Sequence, residues 1–330
     1  MAEHEEIMQS SDFKDRKAGL VVFGILQIIL GGLCALMVPF MVIGMIASVA
    51  LRNTSTPAPP INIGMMIPCL LFYVLAAVWF IWMGIGSVKA RRWARALILV
   101  SSWLWLICGT CGLVFILLLM PHMYDKMGQN GQMPPEAAAV MKYVMIGFMT
   151  VIDVIIPAVL VLFYGGKNVK ATCEFRDSKV RWTDKCPLPV LAVSLLFGVW
   201  AVSMLSLGAC GWTIPFFGFI ATGTKGAAIA LVVMLLYGYV ARGLYKLNIK
   251  AWWCAVLVTI LWALSTVITF SRVSLLDFYQ KMNFSQQLLD FYRQSGLPGT
   301  STVALFTSLW LAGFLAYLLY TKKYFASKHT

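Results

Sequence analysis

Asp153 is a carboxylate deep inside a long apolar stretch of this sequence. A charged carboxylate at the centre of a bilayer costs about 2.5–3.5 kcal/mol on insertion scales, so its side chain should face protein or water. Such an acid could be a proton or cation site, or a polar contact for a ligand. It could equally be a hydrogen-bonded acid that joins helices, with backbone groups freed near Pro157 among its partners. Gln27 is the second candidate for an intramembrane polar site.

Cys108 and Cys111 stand one helical turn apart in the run Cys108-Gly109-Thr110-Cys111. Two thiols at this spacing could exchange with a disulfide partner, as in membrane thiol oxidoreductases. The same run of small residues also suits close contact between helices. We favour packing over redox chemistry, because the sequence offers no second reactive pair in an outer loop.

The positions of the three histidines exclude some cofactors. His4, His122 and His329 all lie outside the apolar stretches, so haem held by two histidines within the bilayer is excluded, as are histidine-rich metal cages. Methionines at one-turn spacing could hold Cu(I), but methionine is also an ordinary packing residue. The sequence contains no Gly-rich phosphate loop, HExxH or Gly-x-Ser-x-Gly motif. The cofactor therefore stays unknown, and no metal ligand or catalytic residue is assigned.

The surroundings of these residues are strongly apolar. Hydrophobic residues make up 60% of the 330 residues and charged residues 12%, which is too apolar for a soluble domain. Several stretches exceed the 18 or so apolar residues that can cross a bilayer as a helix. The sequence therefore predicts an all-α polytopic integral membrane protein. Its eight predicted spans are residues 18–50, 63–88, 93–119, 139–165, 187–210, 219–245, 250–271 and 301–321.

Pro39 and Pro215 lie near the outer ends of the first and fifth predicted spans. Proline has no backbone N–H and clashes with the preceding turn of a helix. We therefore expect a kink or a broken outer segment at each of these positions.

Basic residues fall mainly on one side of the predicted spans. With the N-terminus in the cytoplasm, the N-tail holds three, the second loop four, the central linker six, the sixth loop three and the C-tail three, so 19 of the 26 are cytoplasmic. The positive-inside rule therefore places both termini in the cytoplasm, across the inner membrane if the cell is bacterial. Topology and anionic lipid account for the net charge of +13. Nucleic-acid binding is not supported, because the cations flank spans.

The sequence contains the same membrane unit twice, with offsets that drift because the loops differ in length. Four spans per unit is an even number, so the halves should keep one orientation as two parallel four-helix repeats. The matches are Gly84, Trp93 and Trp103 with Gly243, Trp252 and Trp262 at 159, Val38-Pro39-Phe40 with Ile214-Pro215-Phe216 at 176, and Tyr124–Met127 with Tyr279–Met282 at 155. The predicted parts are a cytoplasmic N-tail (1–17), the first repeat (18–165), a cytoplasmic linker (166–186), the second repeat (187–321) and a cytoplasmic C-tail (322–330).

Two further features concern the membrane surface. Basic residues and tryptophan open the third and seventh spans, and we read them as interface anchors, with a lipid-headgroup site as the alternative. The outer segment 272–299 has apolar residues at helical spacing, which predicts an amphipathic helix that caps the bundle or lies on the outer leaflet. A membrane-protein partner docking on this segment is the alternative. The predicted anchors are Arg91, Arg92, Trp93, Lys250 and Trp252.

Three function classes follow from this pattern. The first is a non-enzymatic membrane protein, either a structural or accessory subunit or a binder of lipid or another apolar ligand. The second is a small-solute transporter built on parallel repeats, and the third is a membrane thiol-redox or lipid enzyme. We favour the first, because a polar pathway needs several intramembrane polar groups and only Asp153 and Gln27 are evident. The repeat favours the second, because many transporters have one.

Overall fold

The computed structural model describes residues 13–51, 63–129, 134–282, 284, 286–295 and 300–326. Within these ranges, eight helices are long and apolar enough to cross a membrane, which confirms the predicted eight-span helical protein. Helix is the expected form, because a span in lipid must pair its backbone groups internally. Residues 1–12 and 327–330 of the predicted tails lie outside the described residues.

The helices and strands follow one another in a simple order. The first half contains α1 (Lys17–Leu51), α2 (Ile63–Val88), α3 (Arg92–Gln129), α4 (Pro135–Thr150), a π-helical segment (Val151–Ile155), α5 (Ile156–Gly165), α6 (Lys167–Arg176) and a 3-10 turn (Trp182–Lys185). The second half contains α7 (Leu188–Ser203), a 3-10 helix (Met204–Cys210), β1 (Ile214–Phe216), β2 (Phe219–Ala221), α8 (Gly223–Tyr245), α9 (Ile249–Arg272), α10 (Leu275–Lys281), α11 (Gln286–Ser295), α12 (Thr300–Thr321) and α13 (Lys323–Ala326).

Contacts divide the chain into two compact units. The first unit carries most of spans one to four, and the second carries spans five to eight. The first unit comprises Met1–Ala47, Cys69–Leu117 and Tyr143–Leu188, and the second comprises Ser48–Pro68, Leu118–Lys142 and Pro189–Thr330.

In the first unit, α1 and α2 pack along a seam of small residues. A Cβ atom on Gly84 would lie 2.7 Å from the Gly24 carbonyl oxygen, and one on Gly31 would lie 3.0 Å from the Ala77 carbonyl oxygen. Seven residues separate the two contacts on each helix, so the antiparallel helices stay close over two turns. Such close backbone approach is how small residues stabilise helix pairs in membranes.

Ser87 joins three helices of the first unit. Its hydroxyl donates to the Leu20 carbonyl of α1 at 2.8 Å and lies 2.6 Å from the Tyr164 hydroxyl of α5. Because the Ser87 proton is used on Leu20, the Tyr164 O–H is the donor to Ser87. Ser87 and Tyr164 are buried, and paired buried hydroxyls avoid the cost of unmade hydrogen bonds.

In the second unit, side-chain hydrogen bonds connect the four spans. Each bond runs from a side-chain donor to a backbone carbonyl of another span, so the helices are joined without charged groups. The bonds are Ser194 to Ala241 at 2.7 Å, Trp252 to Leu318 at 3.0 Å and Tyr317 to Pro189 at 3.2 Å.

Both units contain the same tight turn between their second and third spans. A backbone N–H donates to a glycine carbonyl five residues earlier at 2.9 Å in each, and the residue between has a φ of 50° or 55°. The matching residues lie 157 apart, two fewer than the offset of 159 predicted from the tryptophans. The pairs are Gly86 with Gly243, Ala90 with Leu247, Arg91 with Asn248 and Arg95 with Trp252.

The fifth span is broken near Pro215, as predicted. A 3-10 helix follows α7, and β1 and β2 then form an antiparallel hairpin. Phe217 and Gly218 both have positive φ, the geometry of a two-residue type I′ turn. The N–H groups of these residues donate to the hydroxyls of Ser265 and Thr269, each at 3.0 Å.

The first span has no such break, because α1 continues through Pro39. Val38-Pro39-Phe40 is therefore helical, whereas Ile214-Pro215-Phe216 is strand β1, and the predicted match of these tripeptides does not extend to their conformation. The physical reason lies in the third and seventh spans. At an offset of 157, Cys108 and Gly112 stand where α9 supplies the hydroxyls that accept the hairpin N–H groups.

Gly243 provides a test of the turn in the second unit. A Cβ atom on Gly243 would overlap the Ala251 Cβ, whereas one on Gly238 would meet nothing within 4 Å. We expect Gly243→Ala to lower the thermal stability by about 1–3 kcal/mol, the usual cost of overpacking. Gly238→Ala in the same helix is the control, and it should be neutral or stabilising because alanine favours helix by about 1 kcal/mol. Equal melting temperatures for the two variants in detergent would contradict the close approach.

Candidate functional site

Asp153 lies in the π-helical segment of the fourth span, and Pro157 explains that segment. Pro157 cannot donate to the carbonyl of Asp153, which stands four residues earlier. The chain widens instead, and the Ile156 N–H donates to the Val151 carbonyl five residues back. Such π segments occur frequently at functional sites.

Two residues of the third span face Asp153: a hydrogen-bond donor, and a glycine that leaves room for its backbone. The indole N–H of Trp105 donates to Oδ1 of Asp153 at 3.2 Å. One turn further along α3, a Cβ atom on Gly109 would lie 2.5 Å from the Asp153 carbonyl oxygen. Trp105 and Gly109 therefore fit the side chain and the widened backbone of Asp153, which is half-buried.

This partnership was missed by the sequence analysis. The expectation of a polar neighbour for Asp153 agrees with the Trp105 bond, but nothing in the sequence pointed to Trp105 itself. The available signal was the spacing of four between Trp105 and Gly109, which puts both on one face of α3. Chemically, the site is a carboxylate held by one indole N–H, with Oδ2 left for another donor.

Gln27 lies on the buried stripe of α1. It is 5% exposed, and its Oε1 accepts no hydrogen bond from the described residues. Within the same residues, no hydrogen bond joins Gln27 to Asp153. The two predicted polar candidates thus stand as separate positions of the first unit.

Cys108 and Cys111 are free thiols on α3. Cys108 is exposed and Cys111 is half-buried, while Gly109 between them makes the close contact with Asp153. The small residues of this run thus have a packing role at Gly109. A redox role for the two thiols stays a prediction.

The predicted anchors have different surroundings. Trp93 stacks on Trp82 with 4.4 Å between ring centroids, and Lys250 is exposed. Trp252 is fully buried and bonds to α12, so its surroundings are protein rather than lipid, whereas Trp253 beside it is 54% exposed. A tryptophan whose N–H is satisfied by protein joins helices, and Trp253 has the exposure that an interface anchor needs.

Arg91 and Arg92 belong to a group of charged residues that we call the ion-pair cluster. It joins the start of α3 to α6 and to the residues that follow α6. Its shortest ion pair joins Arg181 to Asp177 at 3.0 Å. The ion pairs of Arg91 with Asp177 and of Arg92 with Glu174 are 3.3 and 3.4 Å long. The cluster comprises Arg91, Arg92, Arg95, Lys170, Glu174, Asp177, Arg181 and Asp184.

Asp177 is the centre of this cluster. It is 2% exposed, accepts two hydrogen bonds from Arg181, and accepts the Arg92 backbone N–H at 3.3 Å. It therefore caps α3, a helix that lacks an N-cap side chain of its own. Burial alone would raise the pKa of Asp177, but Arg181, the Arg92 N–H and Arg91 outweigh it and hold the pKa below its ordinary value of 3.8.

The outer segment 272–299 forms two helices rather than the single one predicted. Ser274 caps α10 (Leu275–Lys281), and α11 (Gln286–Ser295) is the second helix; residues 283 and 285 lie outside the described residues. Tyr279 stacks on Phe284 and Tyr292, with ring centroids 4.9 and 5.3 Å apart. The Lys281 carbonyl accepts the Thr213 hydroxyl at 3.1 Å. These aromatic rings thus pack against one another, while capping of the bundle and partner docking both stay predictions.

A metal centre would need several ligands together. Among the described residues, no group of three or more His, Cys, Asp or Glu side chains is placed to hold a metal ion. Comparisons with protein-family models, with curated proteins and with solved structures give no match.

Substitutions at Asp153 separate its charge from its hydrogen bond. Asp153→Asn keeps an acceptor for the Trp105 N–H and should leave the melting temperature almost unchanged. Asp153→Leu leaves the Trp105 N–H without its acceptor and should destabilise the protein by about 1–3 kcal/mol. Trp105→Phe, which removes the donor instead, is the reciprocal control. Thermal unfolding in detergent measures all three, and a large loss in Asp153→Asn would contradict a purely hydrogen-bonding role.

Asp177 should make stability depend on pH. A carboxyl whose folded pKa is lowered stabilises the protein above its ordinary pKa of 3.8, and that contribution is lost as the pH falls through the folded pKa. Asp177→Asn should cost about 1–3 kcal/mol near neutral pH and should flatten the decline below pH about 4. The control is Asp290→Asn, an exposed residue whose one ion pair among the described residues is with Arg293 three residues away. Parallel stability curves for wild type and Asp177→Asn would refute the assignment.

Proposed function

We propose that this chain is a non-enzymatic integral membrane protein with a structural or accessory role, which binds lipid or another apolar ligand on its helical surfaces. The supporting observation is the use of its intramembrane polar groups. A solute pathway or an active site needs polar groups that face a ligand. Here many hydroxyls of the spans are used in hydrogen bonds within the protein, either in their own helix or to a neighbouring element.

Six serine and threonine side chains of the spans donate to the carbonyl four residues earlier. Their bonds are 2.6–2.9 Å long, so the hydroxyl protons are fully used. A hydroxyl that is bonded in this way contributes little to a path for polar solutes. The six residues are Thr110, Thr150, Thr259, Thr266, Thr269 and Ser308.

One cavity among the described residues of the second unit is too small for such a ligand. Its volume is about 40 Å³, whereas pockets for small-molecule ligands are typically about 300–1,000 Å³. Its lining is apolar, so water gains no hydrogen bonds there. It is lined by Met204, Leu205, Trp212, Ala227, Ala230, Leu231 and Met234.

We further propose that the two halves are parallel four-helix repeats and that both termini are cytoplasmic. The tight turn shared by residues 86–95 and 243–252 supports the repeat, since it has the same hydrogen bonds and the same positive φ in both units. The orientation rests on the positive-inside rule, because the second and sixth loops, the linker and the two tails together carry 19 of the 26 basic residues.

Transport of protons or another small cation is the second candidate, and the carboxylate of Asp153 favours it. Asp153 stands in a π segment and is half-buried, and among the described residues its Oδ2 accepts no hydrogen bond. Intramembrane acids with these properties serve as proton relays in pumps and transporters.

The proposed function predicts stabilisation by lipid. Delipidated protein should gain several degrees in melting temperature when phosphatidylcholine is added, because a ligand that binds only the folded state raises its stability. Purified protein in vesicles loaded with a pH-sensitive dye should pass protons no faster than vesicles without protein. The control compares wild type with Asp153→Asn in the same vesicles.

Two outcomes would reject this proposal. An unchanged melting temperature across the phosphatidylcholine titration would remove the lipid-binding claim. A proton flux that disappears in Asp153→Asn, with the variant still folded, would establish the transporter alternative instead.

A further inference from the structure

Arg95 is a half-buried cation. It lies in the first turn of α3, and its guanidinium forms no hydrogen bond or ion pair with any residue that the structure describes. Its Nε and that of Arg92 are both hidden from solvent without an acceptor in the described part of the chain. A guanidinium withdrawn from water is costly unless an anion or several acceptors compensate it.

The groups nearest to Arg95 do not compensate its charge. Cys173 is 1% exposed, and burial raises the pKa of its thiol to about 11, so it is neutral at neutral pH. Glu174 and Asp184 exert an attraction on Arg95. However, Glu174 pairs with Arg92 and Lys170, and Asp184 lies 4.0 Å from Arg92 and accepts the Arg181 N–H.

The ion-pair cluster as a whole has an excess of positive charge. It contains five cations and three carboxylates. The longer contacts of Arg92, 3.4 and 4.0 Å, are weak enough to rearrange towards a better acceptor. One further anion bearing two charges would balance the cluster.

The second unit shows what fills the same position when protein supplies the partners. Trp252 occupies the place of Arg95 in the shared turn, and its N–H donates to the Leu318 carbonyl and lies 3.3 Å from the Thr321 hydroxyl. The first unit instead has a charged side chain whose partners are missing from the described residues. The difference between the units indicates a ligand at Arg95.

We propose that Arg95, with Arg92 beside it, binds a phosphate group. A guanidinium offers paired N–H donors that match phosphate oxygens, and this fork favours arginine over lysine. Arg95 stands three residues after the start of the span, about 4.5 Å along the helix axis, which is a depth reached by lipid headgroups. The source is an anionic phospholipid or soluble phosphate, and the site deepens the proposed lipid-binding function by naming the headgroup.

The test measures affinity in detergent for three probes. Short-chain phosphatidic acid, short-chain phosphatidylcholine and inorganic phosphate are titrated against wild type, Arg95→Gln and Lys179→Gln. Lys179 is the control, because it is an exposed cation of the linker 166–186 and its loss changes the net charge by the same amount as the loss of Arg95. Arg95→Gln should weaken phosphatidic acid binding by about tenfold or more, while Lys179→Gln should keep the wild-type affinity.

Each outcome decides the proposal. An Arg95-dependent response to phosphatidic acid alone identifies a lipid, and an equal response to inorganic phosphate identifies a soluble anion. Unchanged phosphatidic acid affinity in Arg95→Gln overturns the site, even when phosphatidylcholine still stabilises the protein and the proposed function stands. If Arg95→Gln does not fold, Arg95→Lys keeps the charge but loses the fork, and wild-type affinity in that variant is the overturning result.

Discussion

The absence of water in the bilayer core is the constraint on which this structure depends. Every polar group of a span needs a partner within the protein, since an unpaired group costs several kcal/mol in hydrocarbon. Ser87 meets this demand by joining three helices, and Ser265 and Thr269 meet it by accepting the N–H groups of the hairpin turn. These polar residues of the spans therefore hold helices and the hairpin together, which leaves fewer of them free for chemistry.

Charge follows a different rule, because it gathers at the ends of the spans. Asp177 receives the backbone donor at the start of α3 and the guanidinium groups around it. This arrangement joins the linker to the start of α3 by hydrogen bonds and ion pairs. An anionic headgroup of the proposed lipid ligand would compete with these carboxylates for the same cations.

The eight spans were predictable because apolar length is a local property of the sequence. The effect of a proline was less predictable, since α1 continues through Pro39 whereas Pro215 lies in strand β1. The partners of Asp153 and of the hairpin were not predictable, because Trp105 and Ser265 stand 48 residues from the groups that they bond. The tryptophans matched at an offset of 159 differ in their surroundings, because Trp93 stacks on a ring and Trp252 lies in the core.

The π segment of the fourth span behaves as a single inserted residue. One residue corresponds to about 100° of helix rotation, so α5 is turned by that angle relative to an uninterrupted α-helix. This rotation sets which face of α5 carries Tyr164 to Ser87. The eighth span, α12, runs from Thr300 to Thr321 as regular α-helix. If the halves arose by duplication, any alignment of the fourth and eighth spans therefore needs a gap of one residue near Asp153.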